Sequence, residues 1–373
     1  RLDARVTEVT TAHGNFTTPC FMPVGTRAAV NCMTSRELSE AGSQIILGGN
    51  TYHMLVAPGT DFIKNAGGMH EMMAWNKPML TDSGGYQVFS LSRNSKICKI
   101  NDKGAKFKHP ETGKMIELTP QTSIETQKII GADIIMAFDE CTPEDGGREA
   151  AEKAMERTDR WLKESIEAHQ KNTSSAYGHK QLLFGIIQGG RFKDLREQCM
   201  ETIVNAELDG IAIGGESIGY HMDITREVLS WVCPHLPENK TRYTMGVGLH
   251  PQDLIDVVAG GVDIFDCVAP TRNARHGSLY CGETIVDGDW VKVHGDEERG
   301  RIAIKKSIYA SDNNPISENC DCYTCLHHSR SYLHFLFKNK LPLYMPLACI
   351  HNVRVMHKTC EVLRDVIQFQ DGK

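Results

Sequence analysis

Eight short apolar runs that lead into glycine or polar residues constrain the fold of this chain more than any other feature. They are CFMPVG (20–25), QIILGGN (44–50), KPMLTDSGG (77–85), DIIMAFDEC (133–141), LLFGIIQGG (182–190), LDGIAIGG (208–215), RYTMGVG (242–248) and VDIFDC (262–267). The runs are too short for helices, and their apolarity is too continuous for strands that face water on one side. They therefore predict parallel strands that are buried on both faces.

Helical patterns separate these runs. Thr34 and Glu37 have the spacing of a capping box, which marks the start of a helix. Thr119 followed by Pro120 marks a second start, and Gly131 marks the end of that helix. Further helices are predicted at 148–170, 192–207, 223–232 and 251–260.

The alternation of strands and helices predicts an α/β fold, a (β/α)8 or TIM barrel with insertions, for which about 250 residues are typical. An open doubly wound sheet is the alternative, but no G-x-G-x-x-G motif opens a helix after the first strand. We predict a single catalytic barrel domain over residues 1–373. The segment at about 91–118 is interpreted as an inserted hairpin or lid, with a turn at Glu111–Gly113.

Polar side chains stand where several predicted strands end. The strand ends carry Asp82, Asp139, Gln188 and Asp266, and glycines such as Gly84–Gly85 accompany them. Because a barrel builds its active site at the C-terminal ends of its strands, we expect these groups to face one pocket. Two carboxylates across a substrate perform glycosidic-bond chemistry, although an acidic residue after a strand can instead cap the next helix. Small residues around polar groups describe a slot for a flat molecule.

Several motifs carry a resemblance to a known family. In chain order they are TDSGGYQ (81–87), FDECTP (138–143), IIQGG (186–190), IAIGG (211–215), YTMGVG (243–248) and DIFDCVAPTRNARHG (263–277). Together with CDCYTC (320–325), they resemble the tRNA-guanine transglycosylase family, and its bacterial members in particular.

The resemblance implies that guanine at the wobble position of tRNA is exchanged for a 7-deazaguanine base. The substrates would be tRNAs with G-U-N anticodons, those for aspartate, asparagine, histidine and tyrosine. By the same resemblance, Asp266 attacks ribose C1′ to form a covalent RNA–enzyme intermediate, and Asp82 is the general acid and base. Two inversions of the configuration at C1′ would give net retention of that configuration, as in a retaining glycosidase. The target base must leave the stack to reach such a pocket.

The resemblance also assigns binding residues. The residues implied for the base are Ser83, Gly84, Gly85, Tyr86, Asp139, Gln188, Gly215 and Met245. Tyr86 and Met245 would contact the faces of the base, with core packing as the alternative for both. The residues implied for RNA are Gly246, Val247, Gly248, Leu249, His250, Pro251, Gln252, Thr271, Arg272, Asn273, Ala274 and Arg275. Arginine can pair bidentately with bases or phosphates, and a solvated basic loop is the alternative.

The stretch CDCYTC places three cysteines, Cys320, Cys322 and Cys325, at the spacing C-x-C-x2-C. Such a group suits a closed tetrahedral zinc site, and free thiols are the alternative. The nearby candidates for a fourth ligand are His327, His328, Cys349 and His351. The family pattern selects His351, which implies one structural Zn²⁺ per chain in a zinc-binding subdomain at about 305–373.

The number of cysteines and the net charge bear on the cellular compartment and the binding partners of the protein. The 13 cysteines are an odd number and mostly scattered singly, which favours reduced thiols in a cytosol over a disulfide scaffold. No apolar run approaches the roughly 18 residues that span a bilayer, so we expect a cytoplasmic protein without membrane contact. A net charge of -6 disfavours an indiscriminate nucleic-acid binder but permits a local basic surface. By resemblance to the bacterial members, a homodimer is expected.

One loop departs from the family pattern. After IAIGG the bacterial members continue Leu-Ala-Val-Gly-Glu, whereas this chain has ESIGY at 216–220. In the family this loop reads the substituent on C7 of the incoming base. Ile218 is bulky where eukaryotic members have glycine to admit queuine, which favours the smaller aminomethyl base preQ1. However, Tyr220 replaces the usual acid and Glu216 supplies a new one, so queuine stays the alternative.

Two other classes of protein compete with this interpretation. A metal-dependent barrel hydrolase would need several histidine ligands at strand ends, where only His53 and His250 lie near. A non-catalytic RNA-binding partner subunit should lack the pair of Asp82 and Asp266, and this chain has both. The sequence therefore predicts a glycosyl-transferring enzyme of queuosine modification.

Overall fold

A computed structural model of the chain describes residues 3–295 and 300–372. Residues 1–2, 296–299 and 373 of the predicted 1–373 domain lie outside the described residues. The strands are β1 (Glu8–Thr11), β2 (Gly14–Thr17), β3 (Cys20–Pro23), β4 (Ile46–Asn50), β5 (Met79–Asp82), β6 (Cys98–Asn101), β7 (Gly104–Lys108), β8 (Met115–Leu118), β9 (Ile134–Met136), β10 (Leu182–Ile187), β11 (Gly210–Ile213), β12 (Thr241–Thr244), β13 (Ile264–Cys267), β14 (Ser278–Tyr280), β15 (Glu283–Asp287), β16 (Trp290–His294) and β17 (Arg301–Ala303). The helices are α1 (Ser35–Glu40), α2 (Thr51–Val56), α3 (Thr60–Asn65), α4 (Met69–Met73), α5 (Gly85–Ser92), α6 (Pro120–Ile130), α7 (Gly147–Gln170), α8 (Lys193–Val204), α9 (Met222–Val232), α10 (Pro251–Ala259), α11 (Ala269–Arg275), α12 (Tyr323–His327), α13 (Arg330–Lys338) and α14 (Tyr344–Asp371).

One parallel sheet of eight strands forms the centre of the fold. Its order is β4-β5-β9-β10-β11-β12-β13-β3, and each neighbouring pair is parallel. A parallel bridge between Val24 and Leu47 connects the two outer strands of this order and closes the ring. Seven of the eight predicted apolar runs contain one of these strands in full, and β12 begins one residue before the run at 242–248. The prediction of a TIM barrel is therefore confirmed.

The barrel strands are buried on both faces because successive side chains point to opposite sides of a strand. In β9, Ile134 and Met136 belong to the cluster inside the barrel, whereas Ile135 packs in the layer of surrounding helices. In β3, Met22 lies inside and Phe21 lies in the outer layer. This double burial explains why the runs are apolar throughout.

The hairpin of β1 and β2 covers the N-terminal end of the barrel. Val9 and Phe16 of the hairpin are buried in the cluster inside the barrel. At the turn of the hairpin, the main-chain N–H of His13 donates to the carboxylate of Asp133, directly before β9 (3.0 Å). The hairpin therefore leaves the C-terminal end of the barrel accessible to a ligand.

The helix starts predicted from capping residues are confirmed. The Thr34 side chain accepts from the Glu37 main-chain N–H at 3.2 Å, and the Glu37 carboxylate accepts from the Thr34 N–H at 2.7 Å. Thr119 caps α6, Pro120 is its first residue, and Gly131 ends it in the left-handed conformation. The other predicted helices correspond to α7, α8, α9 and α10, with ends that differ by a few residues.

The predicted insertion contains three strands instead of one hairpin. Strands β6, β7 and β8 form an antiparallel sheet, and the predicted turn at Glu111–Gly113 lies between β7 and β8. Phe107 and Leu118 of this sheet pack with Phe138 and Val88, next to the ends of barrel strands β9 and β5. The sheet is thus packed onto the barrel beside the ends of those strands.

Helix α14 completes the outer layer of helices. It packs against α10, α1 and β3, so it occupies the position of the eighth barrel helix. The small sheets β14–β17 and β15–β16, together with α12 and α13, lie between β13 and α14 in the chain. Because α14 packs into the barrel, a separate subdomain at about 305–373 stays a prediction. Within the described ranges, no helix combines the length and apolarity that crossing a membrane requires.

Candidate active site

A cavity of about 370 Å³ opens at the C-terminal ends of the barrel strands. It is lined by ten of the predicted site residues, namely Asp82, Tyr86, Asp139, Gln188, Gly215, Met245, Gly246, Leu249, Asp266 and Arg272. The two carboxylates predicted for catalysis therefore share one cavity with the groups predicted to bind a base.

Asp82 is the last residue of β5 and is buried in the cavity wall. The side-chain amide of Asn50, the last residue of β4, donates to its Oδ2 at 2.8 Å. Burial raises the pKa of Asp82 to about 7, and the nearby charges of Asp139 and Asp266 add to this effect. A carboxyl group with this pKa can give or take a proton at neutral pH.

Asp266 lies in β13 and is also buried, but it has different partners. The hydroxyl of Tyr243 donates to its Oδ1 at 2.6 Å, and the main-chain N–H of Gly246 donates to the same oxygen at 3.1 Å. Burial raises the pKa of Asp266, whereas these two donors act in the opposite direction because they stabilise the charged form. Asp266 is thus held as an acceptor with its second oxygen, Oδ2, unused by these bonds.

Asp139 and Gln188 form a connected polar pair at the ends of β9 and β10. The Gln188 amide donates to Asp139 Oδ2 at 2.8 Å, and the Ser83 hydroxyl donates to Asp139 Oδ1 at 2.9 Å. The Gln188 carbonyl accepts from the hydroxyl of Thr142 at 3.1 Å. Burial raises the pKa of Asp139 to about 6, and the bonds from Ser83 and Gln188 oppose this rise. The bonds fix the pair in one orientation.

Glycine is required beside Asp139. A Cβ atom at Gly85 would lie 2.3 Å from Asp139 Oδ1, so any side chain there would displace the carboxylate. Gly84 precedes it as the N-cap of α5 with φ of 91°, in the left-handed region. Ser83, Gly84 and Gly85 are buried and are not among the residues that line the cavity. A positioning role for them follows from these contacts.

Arg196 organises the ends of β10 and β11, although the sequence patterns did not predict it. Its guanidinium is buried and donates to the carbonyls of Ile187 at 2.9 Å and Gly214 at 2.7 Å. Burial lowers its pKa to about 10. A Cβ atom at Gly215 would lie 2.9 Å from Arg196 Nη2, so the backbone of Gly215 can sit this close only without a side chain.

The mouth of the cavity carries the aromatic side chains and the loop at 216–220. Tyr86, in the first turn of α5, is 41% exposed, and burial of its inner part and the proximity of Tyr220 raise its pKa. Ile218 is buried and lines the cavity. The Glu216 carboxylate pairs with Arg93 and accepts from the main-chain N–H of Glu144 at 2.9 Å. Glu216, the acid that is new in this loop, therefore already accepts hydrogen bonds from two donors.

The predicted RNA-binding residues lie in two segments after neighbouring strands. Residues 246–252 follow β12 and enter α10, and residues 271–275 belong to α11, which follows β13. Gly246, Leu249 and Arg272 line the cavity, and Arg272 is exposed. The remaining residues of the set lie outside the lining, and the buried ones among them are Val247, Gly248, Pro251, Thr271 and Ala274. Arg272 is thus an exposed basic side chain in the lining of the cavity.

A second cluster lies near the C-terminus of the chain. The sulfurs of Cys320, Cys322 and Cys325 lie 3.6, 3.5 and 3.3 Å from Nδ1 of His351. A tetrahedral ion with bonds of about 2.3 Å to sulfur and about 2.0 Å to nitrogen separates these atoms by about 3.5 Å. The Nε2–H of His351 donates to the carbonyl of Tyr280 at 2.6 Å, which leaves Nδ1 free for an ion. The four groups could hold a metal ion.

The structure distinguishes among the candidates for the fourth ligand. His327 and His328 lie at the end of α12 and are outside the cluster, and the sulfur of Cys349 donates to the carbonyl of Thr271 at 3.6 Å. The imidazole of His351 is fully buried and faces the three sulfurs.

Besides Arg196, two residues of the candidate active site were missed by the sequence patterns. Asn50 contacts Asp82, and Tyr243 contacts Asp266. Asn50 ends the run QIILGGN in the same way that Asp82 ends its own run, so the rule of polar strand ends could have found it. Tyr243 lies inside a strand and gave no such signal.

The family is shown by a match over almost the whole chain. Residues 1–371 match a family model described as "Queuine tRNA-ribosyltransferase". The chain belongs to this family. The resemblance to the tRNA-guanine transglycosylases is thereby confirmed, and so is the expectation that the chain is an enzyme of the transferase class.

Similar proteins of known name agree with the family model. The queuine tRNA-ribosyltransferase of Caldanaerobacter subterraneus is 44% identical over 368 residues, which cover 99% of this chain and 91% of that protein. The protein of the same name from Gloeobacter violaceus is 44% identical over 365 residues, covering 98% and 90%. The one from Staphylococcus aureus is 42% identical over 365 residues, covering 98% and 89%.

Proposed function

We propose that this queuine tRNA-ribosyltransferase family member exchanges guanine at the wobble position of tRNAs with G-U-N anticodons for a 7-deazaguanine, with preQ1 as the preferred incoming base. The reaction passes through a covalent bond between Asp266 and ribose C1′, and Asp82 transfers the proton. The observation that carries this proposal is a pair of buried carboxyl groups in one cavity with different hydrogen-bond partners. That difference gives the two groups different roles.

In the first half of the reaction the nucleophile is the Asp266 carboxylate. Its free oxygen attacks C1′, an oxygen–carbon bond forms, and the electron pair of the glycosidic bond leaves with guanine. Asp82 gives its proton to the departing base, for which a pKa of about 7 is well matched. Tyr243 and Gly246 keep Asp266 charged and oriented until the attack, because both donate to the oxygen that does not react.

In the second half the incoming base replaces guanine. Asp82, now a carboxylate, takes a proton from the ring nitrogen that attacks C1′, and the ester bond to Asp266 breaks. Each half inverts the anomeric carbon, so the product retains the original configuration. The covalent bond holds the ribose during the exchange, which protects the cut site from water.

Asp139 and Gln188 supply the chemistry that recognises a guanine-like edge. A carboxylate accepts two N–H groups of such an edge, and an amide can donate to its carbonyl. Both side chains are buried and held by Ser83 and Thr142. A base that lacks the matching groups would leave the side chains of Asp139 and Gln188 unpaired. The cost of these unpaired buried groups selects strongly against such a base.

The proposed binding of tRNA rests on the segments at the mouth of the cavity. Arg272 is exposed at the rim and can pair with a phosphate or a base edge. The wobble base enters the cavity after it has left the stack. We propose a homodimer in solution and a cytoplasmic location, where tRNA is found.

The metal we propose for the cluster of Cys320, Cys322, Cys325 and His351 is a structural Zn²⁺. Three thiolates and one imidazole are the ligand set that zinc prefers, and the four positions leave none for water. The ion supplies folding energy to the region between β14 and α14 and takes part in no step of the exchange.

The choice of preQ1 rests on the loop at 216–220. Ile218 is buried in the cavity wall and takes up volume that the large substituent of queuine needs. The Glu216 carboxylate accepts from Arg93 and from the Glu144 N–H, and a carboxylate has about four acceptor positions. It can therefore accept one more bond from the cationic aminomethyl group of preQ1, and such a charge-assisted bond is strong.

The variant Glu216→Gln tests this choice. We expect its KM for preQ1 to rise by about tenfold, the value of one charge-assisted bond, whereas guanine exchange stays within about twofold. The measurement is kcat/KM for preQ1, queuine and guanine on one tRNA. Glu144→Gln is the control, because that side chain is not among the residues of the cavity. An advantage of queuine over preQ1 of more than about tenfold in the wild type would contradict the proposal.

The second prediction concerns Asp82 and pH. Since Asp82 must carry a proton to release guanine, kcat/KM for labelled-guanine exchange should fall as pH rises above about 7. Asp82→Asn should lower the rate by about a hundredfold or more while tRNA binding is retained. The residual activity of the variant should have no alkaline limb near pH 7. If kcat/KM of Asp82→Asn still fell as pH rises above about 7, the titrating group would be another residue.

Incorporation of labelled guanine into tRNA by the purified protein decides between the proposed function and its rivals. A non-catalytic RNA-binding partner would bind tRNA without incorporation. A metal-dependent barrel hydrolase would release guanine and leave an abasic site. Among the described residues, neither group of potential metal ligands lies in the cavity, which disfavours the hydrolase.

A further inference from the structure

A second group of potential metal ligands lies at the opposite end of the barrel from the active site. It consists of His13, His70 and Asp133, whose ligand atoms all lie within 4.8 Å of one another. His13 is at the turn between β1 and β2, His70 is in α4, and Asp133 directly precedes β9. Neither the exchange reaction nor the cysteine cluster uses this group.

The spacing of the ligand atoms suits one ion. His13 Nδ1 lies 2.8 Å from Asp133 Oδ1, and His70 Nε2 lies 3.4 Å from Asp133 Oδ2. Ligand atoms at about 2.0 Å from a tetrahedral ion are about 3.3 Å apart, so small side-chain shifts would suffice. We propose that His13, His70 and Asp133 bind a divalent transition-metal ion such as Zn²⁺.

The hydrogen bonds of Asp133 leave two acceptor positions for such an ion. Its Oδ1 accepts from the main-chain N–H of His13 at 3.0 Å, and its Oδ2 accepts from that of Met79 at 2.9 Å. Each oxygen has a second lone pair, which faces an imidazole nitrogen of His13 or His70. An ion that replaces the two imidazole protons would keep both main-chain bonds intact.

The surroundings orient the two imidazoles. The rings of His13 and His70 are stacked with centroids 3.6 Å apart, and the edge of His179 packs against His13 at 4.7 Å. His70 Nε2 also hydrogen-bonds to the carbonyl of Lys77 at 3.1 Å, so an ion at Nε2 would replace this bond once the ring carries its proton on Nδ1. The stacking holds the two rings side by side next to the Asp133 carboxylate.

The burial of the group permits an ion to enter. The side chain of Asp133 is 1% exposed, whereas that of His13 is 27% exposed and opens to solvent. Two imidazoles and one carboxylate suit borderline ions such as Zn²⁺ and Co²⁺ rather than Mg²⁺ or Ca²⁺. The bound ion would connect the hairpin turn to α4 and β9, and so fix the cover of the N-terminal end of the barrel.

Equilibrium dialysis of the full-length protein against Zn²⁺, followed by metal analysis, tests the proposal. We expect one ion per chain beyond the one held by the cysteine cluster. His70→Gln keeps an N–H donor for Asp133 but loses the ligand, so it should weaken the additional site by at least about tenfold. His179→Gln is the matched control, because this neighbouring ring is not one of the three ligands, and it should retain the additional ion.

Cobalt distinguishes the two sites. Co²⁺ in the proposed site should give ligand-field bands without the sulfur-to-metal absorption that cysteine ligands produce. Guanine exchange by His70→Gln should stay within about twofold of the wild type, because the cavity lies at the other end of the barrel. No uptake beyond the cysteine cluster at millimolar Zn²⁺ would overturn the proposal. Uptake that is unchanged in both His70→Gln and His13→Asn would do the same.

Discussion

Asp266→Asn is expected to abolish the covalent RNA–enzyme adduct and to lower the exchange rate by at least about 10⁴-fold, because it removes the proposed nucleophile. The substitution keeps an acceptor for the Tyr243 hydroxyl and the Gly246 N–H, so the cavity should stay folded. It also removes a buried charge, whose cost in the native protein is reflected in the raised pKa of Asp266. Loss of activity would therefore report on chemistry rather than on stability.

The measurement is a gel under denaturing conditions after incubation of enzyme, labelled tRNA and a 7-deazaguanine analogue. Asp253→Asn is the matched control, because this carboxyl group is also buried with its pKa raised to about 6, but it caps α10 outside the cavity. The control should form the adduct. An adduct that persists in Asp266→Asn would assign the nucleophile to another residue and would contradict the proposed mechanism.

The barrel could be predicted from the sequence because its strands are buried on both faces. Such strands are apolar throughout, and residues 44–50 and 182–190 are clear examples. The capping residues Thr34 and Thr119 likewise identified helix starts, since their side chains bond to main-chain N–H groups within a few residues. These signals are local, so one sequence was enough to read them.

Short elements without local signals were missed. Helices α3 and α4 have six and five residues, and the N-cap of each is a glycine, which has no side chain to cap the helix. The small strands β14 to β17 have three to five residues, and several of their side chains are exposed. Such elements depend on tertiary packing rather than on their own propensity, so neither periodicity nor caps could reveal them.

The candidate site was predictable where residues at strand ends carry charge. Asp82, Asp139 and Asp266 follow apolar runs, and the barrel rule assigns such ends to one pocket. Arg196 and Tyr243 were missed because their roles depend on partners distant in the chain. Arg196 reaches the carbonyl of Gly214, and Tyr243 reaches Asp266 from the neighbouring strand. Only the folded barrel brings those partners together.

Cys322→Ala is expected to lose the proposed zinc and to lower the free energy of unfolding by about 3 kcal/mol or more, since a structural zinc contributes directly to folding. Cys322 is buried, its sulfur accepts from the Cys325 N–H at 3.3 Å, and the same sulfur faces His351. Without the ion, the sulfurs of Cys320 and Cys325 and the buried imidazole of His351 would still lie close together, but no single group would bind all three. Helix α14 carries His351 and packs into the barrel, so the loss should reach the barrel itself.

Metal analysis and urea unfolding of the wild type, Cys322→Ala and a control variant measure this effect. Cys349→Ala is the matched control, because that cysteine is equally buried and near in the chain, but its sulfur bonds to the carbonyl of Thr271. The control should retain zinc and lose about 1 kcal/mol at most, as expected for a small buried side chain. Zinc that is absent from the folded wild type, or retained in full by Cys322→Ala, would show that the cluster is not the structural metal site. If both cysteine variants lost zinc equally, the choice of the fourth ligand would be wrong, and Cys349 would have to be considered in place of His351.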